Sequence, residues 1–86
     1  MDESLFIHPH AFKHGLSETN IRCAWENAYV SQVRTGPWPP QHVALGFDEQ
    51  GHEIQLVCVW DDDEHRWVIF HAMRATKKVR KELGVE

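Results

Sequence analysis

No stretch of this 86-residue sequence approaches the roughly 20 consecutive apolar residues needed to cross a bilayer. Nor does its opening read as a basic leader. The chain opens Met1-Asp2-Glu3-Ser4, acidic where a secretory signal is basic, and no long apolar run follows. Cysteine is scarce: Cys23 and Cys58 each lie within an apolar pattern, and neither has a second thiol nearby to complete a metal clip. In a reducing compartment such thiols are expected to pack as small buried hydrophobes. These absences point to the cytosol. There is no internal repeat, no low-complexity tract and no HExxH zinc motif. Cations are too few for a general nucleic-acid coat, since nine Lys and Arg face thirteen Asp and Glu for a net charge of −4.

What is present suits a small folded domain. Apolar residues make up 42% of the chain and four are Trp, which excludes the disordered and collagen-like classes. The length fits one domain, residues 1–86, burying roughly 60–65% of its unfolded surface. Charge is distributed unevenly. Residues 1–73 hold four Lys and Arg against eleven Asp and Glu, a balance of −7. Residues 74–86 hold five cations against two acids, a balance of +3. The carboxyl end therefore reads as a basic helix able to meet an anion.

Along the chain, Leu5-Phe6-Ile7 is a short edge strand or lead-in. Pro9 suits the first position of a short helix over His10–His14, and Gly15 its end. Ser17 caps a second helix in which Ile21, Ala24, Trp25 and Ala28 recur at helical spacing. Val33–His42 reads as a loop, because Gly36-Pro37-Trp38-Pro39-Pro40 can neither continue a helix nor sit in a central strand. Trp38 has two readings, a lid folded back onto the core, which is the commoner outcome, or an exposed anchor for a partner. Three strands follow. Val43–Phe47 alternates and ends in an Asp48–Gly51 turn; Ile54–Trp60 places Ile54, Leu56, Cys58 and Trp60 on one face; Trp67–Ala72 is apolar on both faces and so central. Between the last two, the acidic run Asp61–Glu64 reads as a solvated turn. Thr76–Leu83 closes as a helix. The expected fold is α+β: amino-terminal helices and a carboxyl-terminal helix on one face of a three- to four-stranded antiparallel sheet.

Seven histidines invite a metal reading, with His10 and His14 four apart on a helix. Structural zinc needs four ligands and catalytic zinc three, and no such set is evident, so no metal or cofactor is called for. His71 is the more pointed residue. Alternation puts it on the side of Trp67 and Ile69, at the end of the central strand, just before Arg74 and the basic tail. Lys77 and Lys78 occupy a first helical turn, where the helix dipole disfavours cations, and phosphate contact is one reason to keep them there.

Two segments then resemble a known family. Lys13-His14-Gly15, followed by Leu16, Ser17-Glu18 and an amphipathic helix, resembles the opening of the BrnT-type toxins of bacterial toxin–antitoxin pairs. Trp67-Val68-Ile69-Phe70-His71-Ala72-Met73-Arg74-Ala75-Thr76-Lys77-Lys78 resembles their closing strand, turn and basic helix. The family is similar in fold to the RelE toxins, small ribonucleases that stop translation and are held inactive by an antitoxin. Lys13, His14 and Arg74 match the family's positions. Met73 and His71 stand where the family has Arg and Ser, Val68 where it tends to have Arg, and Val79 where it has Glu.

The resemblance implies a metal-independent endoribonuclease with an antitoxin protein as partner and RNA, free or on the ribosome, as target. Such chemistry needs a base for the 2′-hydroxyl, an acid for the leaving oxygen and cations for the developing charge. His71 and His14 are the candidate base and acid, and Arg74 the candidate phosphate ligand. Lys13, Lys77, Lys78 and Arg80 are candidates for holding the strand. The acidic body and the missing family arginines support a second reading, a catalytically silent relative that binds a protein partner.

Overall fold

A computed structural model describes residues 4–85. The acidic start Met1-Asp2-Glu3 and the terminal Glu86 lie outside the described residues. The chain runs β1 (Leu5–Ile7), a short 3-10 turn (Pro9–Phe12), α1 (Glu18–Glu26), β2 (Val30–Arg34), β3 (Gln41–Phe47), β4 (Glu53–Asp61), β5 (Arg66–Arg74) and α2 (Lys77–Glu82). The strands form one sheet in the order β1-β5-β4-β3-β2, with β1 parallel to β5 and the other pairs antiparallel. No helix is long and apolar enough to cross a membrane among these residues.

This architecture corrects the expected fold. The sheet is five-stranded and mixed, not a three- to four-stranded antiparallel one, and the two helices are short. They also lie on opposite faces. Ile21 and Ala24 of α1 pack with Ile54, Leu56, Cys58, Ile69 and Ala72. Val79 and Leu83 of α2 pack with Val43, Leu45 and Val57. The strand missed in sequence is β2, which pairs Val30–Arg34 with Leu45–Gln41 although its middle three residues are exposed. An edge strand with that exposure carries no apolar alternation to read.

Local chemistry explains the helix starts. Ser17 Oγ accepts from Asn20 N–H at 3.1 Å, and Asn20 Oδ1 accepts from Ser17 N–H at 2.9 Å, so the first turn of α1 closes as a reciprocal cap. Thr76 Oγ1 accepts from Val79 N–H at 3.2 Å to open α2. Buried Gln55 steadies that start, its Oε1 accepting from both the N–H and the hydroxyl of Thr76. Asp48 and Gly51 build the β3–β4 turn: Asp48 Oδ1 accepts from Gln50 N–H and His52 N–H at 2.9 Å each, and Gly51 takes a φ of 81°.

One irregularity decides where side chains point. Opposite residues of β4 and β5 are Val57 with His71 and Cys58 with Ile69, so Phe70 is an extra residue, a β-bulge. Directly paired residues share a face. His71 therefore lies with Val57 on the α2 face, not with Trp67 and Ile69 as uninterrupted alternation predicts. Beyond the bulge, Ala72 and Arg74 return to the α1 face beside Leu56 and Ile54.

Candidate functional site

β1 ends where His8 N–H donates to Ile69 carbonyl oxygen at 2.9 Å, and the 3-10 turn continues along the same edge of β5. That path carries Lys13 and His14 to the bulge. The imidazoles of His14 and His71 meet edge to face, with ring centroids 5.4 Å apart. His14 lies beyond the 3-10 turn, which ends at Phe12, so it is not the helical partner of His10 that their spacing suggests. Among the described residues no group of three or more His, Cys, Asp and Glu is placed to hold a metal ion.

The third member of the cluster comes from the far edge of the sheet. Arg34, at the end of β2, shares the α2 face with His71. Its guanidinium forks onto Glu82 of α2, Nε to Oε2 and Nη2 to Oε1, both at 2.8 Å. Those hydrogen bonds hold the Glu82 carboxyl below its usual range and keep Arg34 charged. A cavity of about 330 Å³ lies between the two edges, lined by His10, Lys13, Arg34, Gln41, Gln55, Val57, Phe70 and His71. Burial in this cavity, then the charges of His14, Arg34 and Lys13, push the His71 imidazole below the ordinary histidine pKa. His71 is thus neutral at pH 7, one nitrogen free to accept a proton.

The remaining candidates are elsewhere. Arg74 is exposed on the opposite face of the sheet from His71, and its place beside the imidazole is taken by Arg34. Lys77 and Lys78 line a separate hollow with Arg80, Lys81 and Val85. Arg80 is engaged by Glu53, which also accepts from the Tyr29 hydroxyl, so it serves the fold. Trp38 is not folded back onto the core but stands 88% exposed in the β2–β3 loop. Cys23 is half-buried where both thiols were expected inside; Cys58 is buried, and burial pushes its thiol up to about 12. A pKa that high keeps it protonated and unreactive.

Sequence reasoning overlooked Arg34 because it stands two residues before Gly36-Pro37, inside what reads as a loop. The signal available was Val30-Ser31-Gln32-Val33-Arg34, whose valines suit a strand although alternation is absent. Searches against protein-family models, curated proteins and solved structures find no match to the chain.

Proposed function

We propose that this chain is a toxin-like protein of a bacterial toxin–antitoxin pair, a metal-independent endoribonuclease that inhibits translation and is neutralised by an antitoxin protein. The observation that supports the reading is the His14–His71 pair, two imidazoles 5.4 Å apart with Lys13 and Arg34 beside them. In this reading neutral His71 removes the proton of the ribose 2′-hydroxyl. The freed oxygen attacks the adjacent phosphorus, the phosphorus–5′-oxygen bond breaks, and His14 in its protonated form returns a proton to the leaving 5′-oxygen. The products are a 2′,3′-cyclic phosphate and a 5′-hydroxyl, with no net proton change. Arg34 and Lys13 neutralise charge on the phosphoryl oxygens as it builds, the role assigned from sequence to Arg74. Lys77 and Lys78 bind the flanking strand.

The test is incubation of the purified protein with single-stranded RNA in a chelator, alongside a cell-free translation reaction with message ends mapped. Discrete cuts ending in cyclic phosphate, with His14→Ala and His71→Ala each slowing cleavage by about 10²–10⁴ and the double variant little further, are the expected result. Cleavage unchanged in either single variant overturns the assignment. Loss of all cleavage in chelator overturns its metal independence. Intact RNA and undiminished synthesis at protein excess leave the second reading, a binding module without catalysis, which the exposed Trp38 favours.

A further inference from the structure

The α1 face of the sheet is only partly covered. α1 has nine residues, about 13.5 Å of helix, whereas β4 and β5 have nine residues each and run about 30 Å. Beyond the helix lies a cavity of about 630 Å³. Trp25 of α1, Trp67 of β5 and His42 of β3 wall it, and Ala44 and Cys58 form its floor. Trp67 stands at the centre of the aromatic cluster. Its ring centroid is 5.9 Å from Trp25, 4.8 Å from His42 and 5.3 Å from Trp60, at interplanar angles of 56°, 81° and 72°. None of these contacts is a parallel stack. The rings stand as adjoining walls, which suits a rounded guest better than a flat one.

The charges on the rim select the guest further. Arg22 and Glu26 both line the cavity. Arg22 gives its Nε to Glu18 at 2.8 Å, one turn back along α1. Glu26 is exposed, and no hydrogen bond or ion pair ties its carboxylate to the described residues. Trp60, which touches Trp67, donates its Nε1–H to Asp62 Oδ1 at 3.0 Å, outside the cavity lining. Aromatic walls with a carboxylate on the rim attract a cation, through the ring quadrupoles and through Glu26. The ring faces of Trp25 and Trp67 carry no strong hydrogen-bond acceptor, so an ammonium that loses water against them without new hydrogen bonds is penalised. An alkylated ammonium has no such protons to satisfy.

We propose that this cavity is a binding site for a small quaternary ammonium compound, held against Trp25, Trp67 and His42 with Glu26 as its counter-ion. The site lies on the opposite face from the His14–His71 pair and does not depend on RNA cleavage. The probe is choline, compared with its uncharged carbon isostere, and the readout is the indole N–H signals of the four tryptophans by NMR. Choline moves the Trp25 and Trp67 signals saturably and leaves Trp38 in place. The isostere binds about tenfold more weakly or worse. Glu26→Gln changes only an exposed side chain and keeps the fold; it weakens choline several-fold and leaves the isostere as before. Trp25→Leu abolishes binding of both. Equal binding of choline and isostere overturns the proposal, because the groove is then merely apolar. So does a Glu26→Gln protein that binds choline undiminished, or the absence of any saturable shift with choline.

Discussion

Gly46→Ala tests the packing of α1 on the sheet. A Cβ at position 46 would lie 2.0 Å from the carbonyl oxygen of Ala24, 2.9 Å from its carbonyl carbon and 3.1 Å from Cα of Ala28. All three are backbone atoms, so no side chain can swing aside. Carbon–oxygen contacts in proteins settle near 3.3 Å or more, so α1 must retreat by roughly 1.3 Å. A gap of about 1 Å forfeits a quarter to a half of the dispersion energy across it. Ile21 and Ala24, both fully buried, bear that loss. Overpacking of this kind costs about 1–3 kcal/mol, and a clash with rigid backbone belongs at the upper end, about 3 kcal/mol. In a domain of this size each kcal/mol moves Tm by roughly 4–8 °C, so the expected fall is roughly 12–24 °C.

Thermal unfolding followed by circular dichroism measures that fall, and Gly51→Ala supplies the control. Gly51 has a φ of 81° and nothing within 4 Å of the added carbon, so its cost is left-handed backbone strain alone, about 1–2 kcal/mol. Gly46→Ala must be the more damaging of the two. A Gly46→Ala protein melting within about 3 °C of the parent would refute the close approach of α1 to β3 and the packing argument built on it. Because α1 also carries Trp25, the same variant perturbs one wall of the aromatic cavity.

Two further outcomes follow from His71, which is half-buried, and Cys58, which is buried. His71 is held below the ordinary histidine value of 6.5 in the fold, so on acidification the unfolded chain takes up its proton first. Its contribution is therefore complete above pH 6.5 and is lost as pH falls through the lower folded value. Arg34→Gln removes one of the charges responsible, and the His71 midpoint in an NMR pH titration moves up; an unmoved midpoint would separate Arg34 from the site. Cys58, with its thiol pushed up to about 12, resists alkylation at pH 8 in the native protein and reacts after denaturation. Modification of both thiols at equal rates without denaturant would contradict its burial.

Much of the chain's order was legible because local chemistry and patterning agree over most of it. The Ser17 cap, the alternation of Ile54 to Trp60 between two faces, the Asp48–Gly51 turn and the Thr76 start of α2 are all short-range effects, and each has its counterpart in the structure. What was not legible is long-range. The parallel pairing of Leu5–Ile7 with Trp67–Ile69 joins segments some 60 residues apart, and nothing in three apolar residues states a direction. The pairing of Val30–Arg34 is hidden because an exposed edge strand carries no alternation. Pattern also cannot show that α1 and α2 take opposite faces, since each has only a narrow apolar stripe and either face of an apolar sheet would accept it.

The bulge at Phe70 shows how one such long-range feature governs the candidate site. With strict alternation, His71 would share the α1 face with Trp67 and Ile69, and Arg74 would lie across from it. One extra residue moves both together: His71 turns to the face that carries Arg34 and α2, and Arg74 to the face of Ile54, so the two stay on opposite faces of the sheet. The local sequence Ile69-Phe70-His71-Ala72 gives no sign of this, because each residue is acceptable on either face of a buried strand. What selects the bulge is the fit of both faces at once. Ile69 and Ala72 are fully buried in the cluster that holds Ile21 and Ala24 of α1 and Ala11 of the 3-10 turn, whereas Phe70 packs with the α2 cluster. Burying Ile69 and Ala72 on the same side, three positions apart, requires one residue too many for a regular strand. The apolar packing of one face thereby delivers a histidine to the other, which places the two-imidazole cluster opposite the tryptophan cavity.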